Sequence, residues 1–161
     1  MDKTTTSLLI VDDESDVTET LSQFLESHFS PVWVAENGKI AFEKCTTNKP
    51  DIILCDFFMP EMSGEAFLKK IRTKGILSPV VFLTGNASKE FVITALQLGA
   101  SDVLEKPFDL NVVLQTLNRV LEIERRKLEL ALDRDLNPEE LQHKKKMVGL
   151  LKVSNSNKKT G

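Results

Sequence analysis

Asp12, Asp13, Asp56, Thr84 and Lys106 are the residues whose types and positions could do chemistry, and each closely follows a short apolar run. Asp12 and Asp13 come after Leu8 to Val11, Asp56 after Ile52 to Cys55, Thr84 after Val80 to Leu83, and Lys106 after Val103 to Glu105. Three carboxylates brought within a few ångströms would raise one another's pKa, so such a cluster calls for a hard divalent cation with oxygen ligands, and Mg²⁺ fits. A threonine hydroxyl can donate to an anionic oxygen, and a lysine brings a compact positive charge on a long stem. Taken singly, each residue has a plainer role. An Asp-Asp pair is as often a loop or helix cap, a threonine at a strand end is commonplace, and Lys-Pro is an ordinary loop dipeptide. Only convergence in space would give the set a chemical meaning.

The elements that must position them can be read from periodicity. Short apolar runs alternate with longer stretches of helical period over the first 107 residues, the pattern of βα units around a parallel sheet. Five strands are expected, at Leu8 to Val11, Val32 to Ala35, Ile52 to Cys55, Val80 to Leu83 and Asp102 to Leu104. Between them, Val17, Leu21, Phe24, Leu25 and Phe29, and later Phe67, Leu68 and Ile71, recur three and four residues apart, as on amphipathic helices. Asn37-Gly38 is expected to end the second strand with a turn, Ser63-Gly64 to lead into the third helix, and Asn86 to Ser88 to cap the fourth. Gly99 should close that helix in a left-handed conformation. If the strand order is 2-1-3-4-5, the first and third strands are neighbours and the carboxylates meet beyond their carboxyl ends, at the topological switch point.

Charge and composition narrow the functional classes. Apolar residues make up 41% and charged residues 28% of the 161, the balance of an ordinary globular chain. Through Pro107 there are 16 acidic and 10 basic residues, and beyond it 8 and 11, so an acidic body carries a mildly basic tail. An acidic body argues against nucleic acid as its ligand, because phosphate contacts need clustered Lys and Arg. No apolar stretch approaches the roughly 18 residues needed to cross a bilayer, and the start is polar and threonine-rich, so a cytoplasmic chain is expected. Cys45 and Cys55 form no CxxC pair, which points to buried apolar roles. Trp33 is expected in the core and His28 at a helix surface.

The strings Leu9-Ile10-Val11-Asp12-Asp13, Asp56-Phe57-Phe58-Met59-Pro60-Glu61-Met62-Ser63-Gly64, Thr84-Gly85 and Lys106-Pro107-Phe108 resemble the receiver domain of two-component response regulators, in order and spacing, over about residues 5 to 122. The resemblance implies an α/β fold, a doubly wound five-stranded parallel sheet in the flavodoxin-like order 2-1-3-4-5 with five helices. It implies a phosphoryl group accepted on Asp56 from a histidine kinase, a histidine phosphotransfer protein or a small phosphodonor. Asp12, Asp13 and Asp56 would hold Mg²⁺ with the backbone carbonyl of Phe58, and Thr84 and Lys106 would contact the phosphoryl oxygens. One position departs from the family pattern. Receivers usually carry an aromatic three residues before the lysine, coupled to movement of the threonine, and here that residue is Val103. Activation would then either travel through backbone movement of the loop at Gly85 to Ser88 or be weak. Phe57 and Phe58 beside the acceptor either restrict water or simply pack.

Beyond Pro107 the pattern changes. Leu110, Leu114, Leu117, Leu121, Glu124, Leu128 and Ala131 recur at alternating steps of four and three, a coiled-coil seam, predicting a helix from Asp109 to about Asp133. The expected organisation is a receiver domain over 5–122, a helical extension over 123–152 that pairs with a second copy, and a disordered tail over 153–161. Asn137-Pro138 would start a second short helix. His143 and Lys144 to Lys146 read as a solvated face.

The expected function is a phosphorelay signalling switch that changes its contacts with a downstream protein, and not an enzyme acting on free substrates. Two alternatives compete. A Mg²⁺-dependent aspartyl phosphotransferase or phosphatase would generally need a second aspartate two residues after the nucleophile, where this chain has Phe58. A transcription regulator would need a DNA-binding module, and about 40 residues after the receiver are too few for most of these.

Overall fold

The computed structural model describes residues 6–132 together with 139, 140 and 142. Strands and helices alternate: β1 (Leu8–Val11), α1 (Ser15–Leu25), β2 (Val32–Ala35), α2 (Gly38–Asn48), β3 (Ile52–Asp56), α3 (Gly64–Thr73), β4 (Val80–Thr84), α4 (Lys89–Gln97), β5 (Asp102–Glu105) and α5 (Leu110–Leu132). The five strands are parallel, in the order β2-β1-β3-β4-β5. This is the doubly wound α/β sheet expected from the sequence, with each expected strand present.

The period-2 pleat divides the strand side chains between two cores. Leu8, Ile10, Ile52, Leu54, Val81 and Leu83 face α1 and α5, where Leu21, Leu25, Val113, Leu117 and Val120 are buried. Leu9, Val11, Ile53, Cys55, Val80 and Phe82 face the opposite way, onto Ala41 and Cys45 of α2, Phe67, Leu68 and Ile71 of α3, and Ala95 of α4. The three central strands are therefore buried on both faces, which explains their continuous apolar runs. The edge strands β2 and β5 are mostly half-buried, and Trp33 packs at the margin of the core.

Local signals set the helix starts. Ser63 and Ser88 cap α3 and α4 by accepting from the backbone N–H groups of Ala66 and Phe91. Asn37 does the same for α2, accepting from Ile40 at 2.9 Å. The expected Asn-Gly turn is thus a helix cap, because an asparagine oxygen satisfies an orphan N–H at a helix start as readily as it forms a turn. Gly99 takes φ +100 after α4, and its N–H donates to Leu96.

The last helix is continuous over 23 residues. Its first half is buried through Val113, Thr116, Leu117 and Val120, and its second half carries intrahelical ion pairs from Arg125 to Glu122 and Glu129, Arg126 to Glu122, and Lys127 to Glu124. Glu139, Glu140 and Gln142 have helical backbone, whereas the Asn137-Pro138 start and the 153–161 tail lie outside the described residues.

Candidate functional site

The strand order places the carboxyl ends of β1 and β3 side by side, Val11 pairing with Cys55. Asp12 and Asp56 follow from those ends and are almost fully enclosed, 1% and 5% exposed, whereas Asp13 is exposed at the rim. One carboxylate oxygen from each of Asp12, Asp13 and Asp56 lies within 4.8 Å of the others. Three hard oxygen donors this close fit a small divalent cation such as Mg²⁺, and the cluster would be strongly self-repelling without positive charge.

Part of that charge comes from Lys106. Its Nζ lies 2.8 Å from Asp12 Oδ2 and 3.4 Å from Asp56 Oδ2, with Glu14 at 4.0 Å on the outside. Burial alone would lower the Lys106 pKa, but the two carboxylates outweigh it and hold the ammonium above its usual value. Asp56 shows the opposite balance. Burial and then the Asp12 charge push its pKa up to about 6, against the lowering effects of Lys106 and of the Phe58 N–H. The fold therefore disfavours the ionised form of the acceptor candidate.

Thr84 ends β4, one residue beyond the pairing of Asp56 with Leu83, and is fully buried. Its Oγ1 accepts from the Asn86 N–H at 3.2 Å and donates to the Asn86 carbonyl at 3.4 Å, folding the start of the β4–α4 loop back on the strand end. The Lys106 N–H donates to the Thr84 carbonyl at 2.8 Å, so the two residues sit on adjoining strand ends. The Lys106–Pro107 peptide is cis.

The segment after Asp56 is shaped by glycine. A Cβ on Gly64 would lie 2.8 Å from the Phe82 ring and 2.9 Å from both the Asp56 carbonyl and the Phe57 Cα, so only glycine lets α3 start against the end of β3. The Gly64 N–H donates to the Phe57 carbonyl at 2.8 Å, closing the loop. Phe57 turns into the core. Phe58 turns out, 61% exposed, while its N–H donates to Asp56 Oδ1 at 3.3 Å. Both rings meet Phe91 at the start of α4, a contact that no spacing in the sequence signals. Glu14 beside Lys106 was also not singled out by sequence, although it directly follows the Asp-Asp pair.

Val103 is half-buried and packs against the α2–α3–α4 core. His28 is exposed as expected, but in the turn just beyond α1 rather than on the helix, and its ring lies 5.7 Å from that of Phe24. Cys45 and Cys55 are both buried; burial pushes the Cys45 thiol up to about 12, and burial with the neighbouring Asp56 and Asp12 charges raises that of Cys55.

A doubly wound sheet with a carboxylate and lysine cluster at its switch point defines a class of α/β domain built to hold a small charged group at that edge. The family model described as the response regulator receiver domain matches residues 8–118. The chain belongs to that family. It is 35% identical over 115 residues to the chemotaxis protein CheY of Bacillus subtilis, covering 71% of this chain and 96% of that one. It is 36% identical over 123 residues to the regulatory protein AtoC of Escherichia coli, covering 76% of this chain but 27% of AtoC. The chain thus spans about a quarter of the longer regulators that it matches, as the 24% coverage of NtrC from Klebsiella pneumoniae also shows. Among solved structures, the chemotaxis protein CheY4 of Vibrio cholerae aligns with a TM-score of 0.67 at 31% identity, over 72% of this chain and 98% of that one. A two-component response regulator from Clostridium difficile aligns with the same TM-score at 30% identity, over 73% and 96%.

Proposed function

We propose that this chain is a phosphorelay switch that accepts a phosphoryl group on Asp56 from a histidine kinase or histidine phosphotransfer protein, in a Mg²⁺-dependent reaction, and signals by changing its contacts with a downstream protein. The observation that carries the reading is the convergence of Asp12, Asp13 and Asp56 within 4.8 Å, with Lys106 reaching two of them, in a receiver fold.

In this reading an Asp56 carboxylate oxygen attacks phosphorus in line. The new O–P bond forms as the donor's P–N bond breaks, and the electron pair returns to the imidazole nitrogen. Bound by Asp12, Asp13, Asp56 and the Phe58 carbonyl, Mg²⁺ would supply the positive charge that the equatorial oxygens need. Lys106 turns its ammonium from the carboxylates to the phosphoryl group, and the Thr84 hydroxyl donates to a phosphoryl oxygen. To do so Thr84 gives up its bond to the Asn86 carbonyl, which frees the loop leading to α4.

The domain assignment follows the same reading: a receiver over 5–122 and a helical extension over 123–152 that forms a homodimer. The extension's Leu128 and Leu130 lie beyond the buried part of α5, and a lone helix gains from an apolar partner. Among the described residues no helix is long and apolar enough to cross a membrane, and we place the protein in the cytoplasm. Phe58, in place of a second aspartate, supports a switch that turns over only its own phosphoryl group. Incubation with acetyl phosphate and Mg²⁺ tests the site: the mass should rise by one phosphoryl group, and Asp56→Asn should abolish the gain. Modification that persists in Asp56→Asn would remove the assignment.

A further inference from the structure

The site and α4 are joined by a chain of aromatic rings. The Phe58 ring stacks on that of Phe91 with centroids 6.0 Å apart and planes at 30°. Phe57 meets both edge-on, at 5.0 Å from Phe58 and 4.6 Å from Phe91, and is itself edge-on to Phe82 of the core at 5.1 Å. Phe91 lies in the first turn of α4, and its N–H is the one that Ser88 caps.

Three further observations give this pair a direction. First, the backbone of Phe58 is tied to the reacting group, because its N–H donates to Asp56 Oδ1. That bond is charge-assisted while Asp56 is a carboxylate; after phosphorylation the remaining carboxyl oxygen is a neutral and weaker acceptor, beside phosphoryl oxygens that carry charge. A change at Asp56 therefore reaches the Phe57–Phe58 peptide directly. Second, α4 is the helix free to respond. Ala95 is its one buried residue, against four each in α3 and α5, and Ile93 and Leu96 are exposed on it. Weakly packed elements are those that shift at low cost. Third, β5 carries Val103, a branched side chain packed in the core with no ring to rotate.

We propose that Phe58 and Phe91 are positioning residues that pass the charge state of Asp56 to α4, the stacked pair acting alongside the Thr84–Ser88 loop. The inference rests on Asp56 being the phosphoryl acceptor. It names a second route, through side chains, for a signal that the backbone loop carries by covalent connection.

Amide hydrogen exchange over residues 86–98, read by mass spectrometry with and without beryllofluoride and Mg²⁺, tests it on the full chain. Wild type should show a clear change in exchange across α4 on adding the phosphoryl mimic. Phe58→Ala, an exposed residue outside α4, should shrink that change by roughly three- to tenfold, the range an aromatic pair supplies. Phe91→Leu should do the same, the double variant should lose no more than either single one, and Phe58→Tyr should restore the response. Ile93→Ala, on the same helix but outside the stack, should leave it intact. Uptake from acetyl phosphate is followed by mass in each variant. An undiminished α4 response in Phe58→Ala that still takes up phosphate overturns the proposal, as does a wild-type α4 that never responds. Failure of wild type to be modified at Asp56 shows up separately, in the mass, and removes the reading on which the proposal depends.

Discussion

Asp56 is held in a place that resists its own charge, and this has a consequence for stability. Its pKa stands at about 6 in the folded chain against 3.8 as the ordinary value, first because it is buried and then because Asp12 is close. Between those values the folded state binds more protons than the unfolded chain, so without metal the contribution of this group to stability falls as pH rises from about 4 to 6, and the full penalty stands above. The size is about 3 kcal/mol as an upper figure. In EDTA at pH 7.5, Asp56→Asn should be more stable than wild type by about 2 kcal/mol in urea denaturation, and the difference should close toward pH 4. A gap that is unchanged across that range would mean the burial argument is wrong. Adding Mg²⁺ should raise the stability of wild type and leave that of Asp56→Asn nearly unchanged. The thiols make a second residue-scale prediction: with both pKa values raised and both side chains enclosed, Cys45 and Cys55 should resist iodoacetamide at pH 8 until denaturant is added.

At the scale of elements, the start of α3 depends on Gly64. Gly64→Ala sets a methyl group against the Phe82 ring and the Asp56 and Phe57 backbone, none of which can move far, and should cost about 1–3 kcal/mol of stability. Because the displaced backbone carries Asp56, phosphoryl uptake should slow as well, and a stopped-time mass assay would detect it. The two halves of α5 should behave differently. The half through Val120 closes the core, whereas the remainder is held by ion pairs along the helix surface, which solvent screens. Truncation after Leu121 should therefore leave a cooperatively folding domain, with a single thermal transition close to that of the full chain.

For the whole molecule the prediction concerns assembly. If the second half of α5 pairs with another copy, sedimentation should give a dimer for the full chain and a monomer for the truncation. A dimer that survives truncation would place the contact elsewhere. Repeating the run with beryllofluoride and Mg²⁺ shows whether phosphorylation makes or breaks the pair. The acidic receiver body and the ion-paired helix are joined without a break from Leu110 to Leu132, so a change at the site and a change in assembly have a rigid element in common.

Much of this could be read in the chain itself. Apolar runs such as Leu8 to Val11 and Val80 to Leu83 appear as strands because parallel sheets are buried on both faces, and the residues just beyond them, Asp12, Thr84 and Lys106, are placed at strand ends by the same logic. The extent of α5 follows from its seam. What the sequence could not supply is distance across the fold. Lys106 and Asp12 are 94 residues apart, and their 2.8 Å contact exists because the sheet reverses its winding after β2 and sets β1 beside β3. Asn37 could serve equally as a turn or as a cap until the chain around it was placed. Phe58 and Phe91 are ordinary hydrophobic residues in the sequence, and nothing in their spacing predicts that one ring lies on the other. Local preferences are written in neighbouring residues, whereas the meeting of remote side chains is settled only by how helices and strands pack.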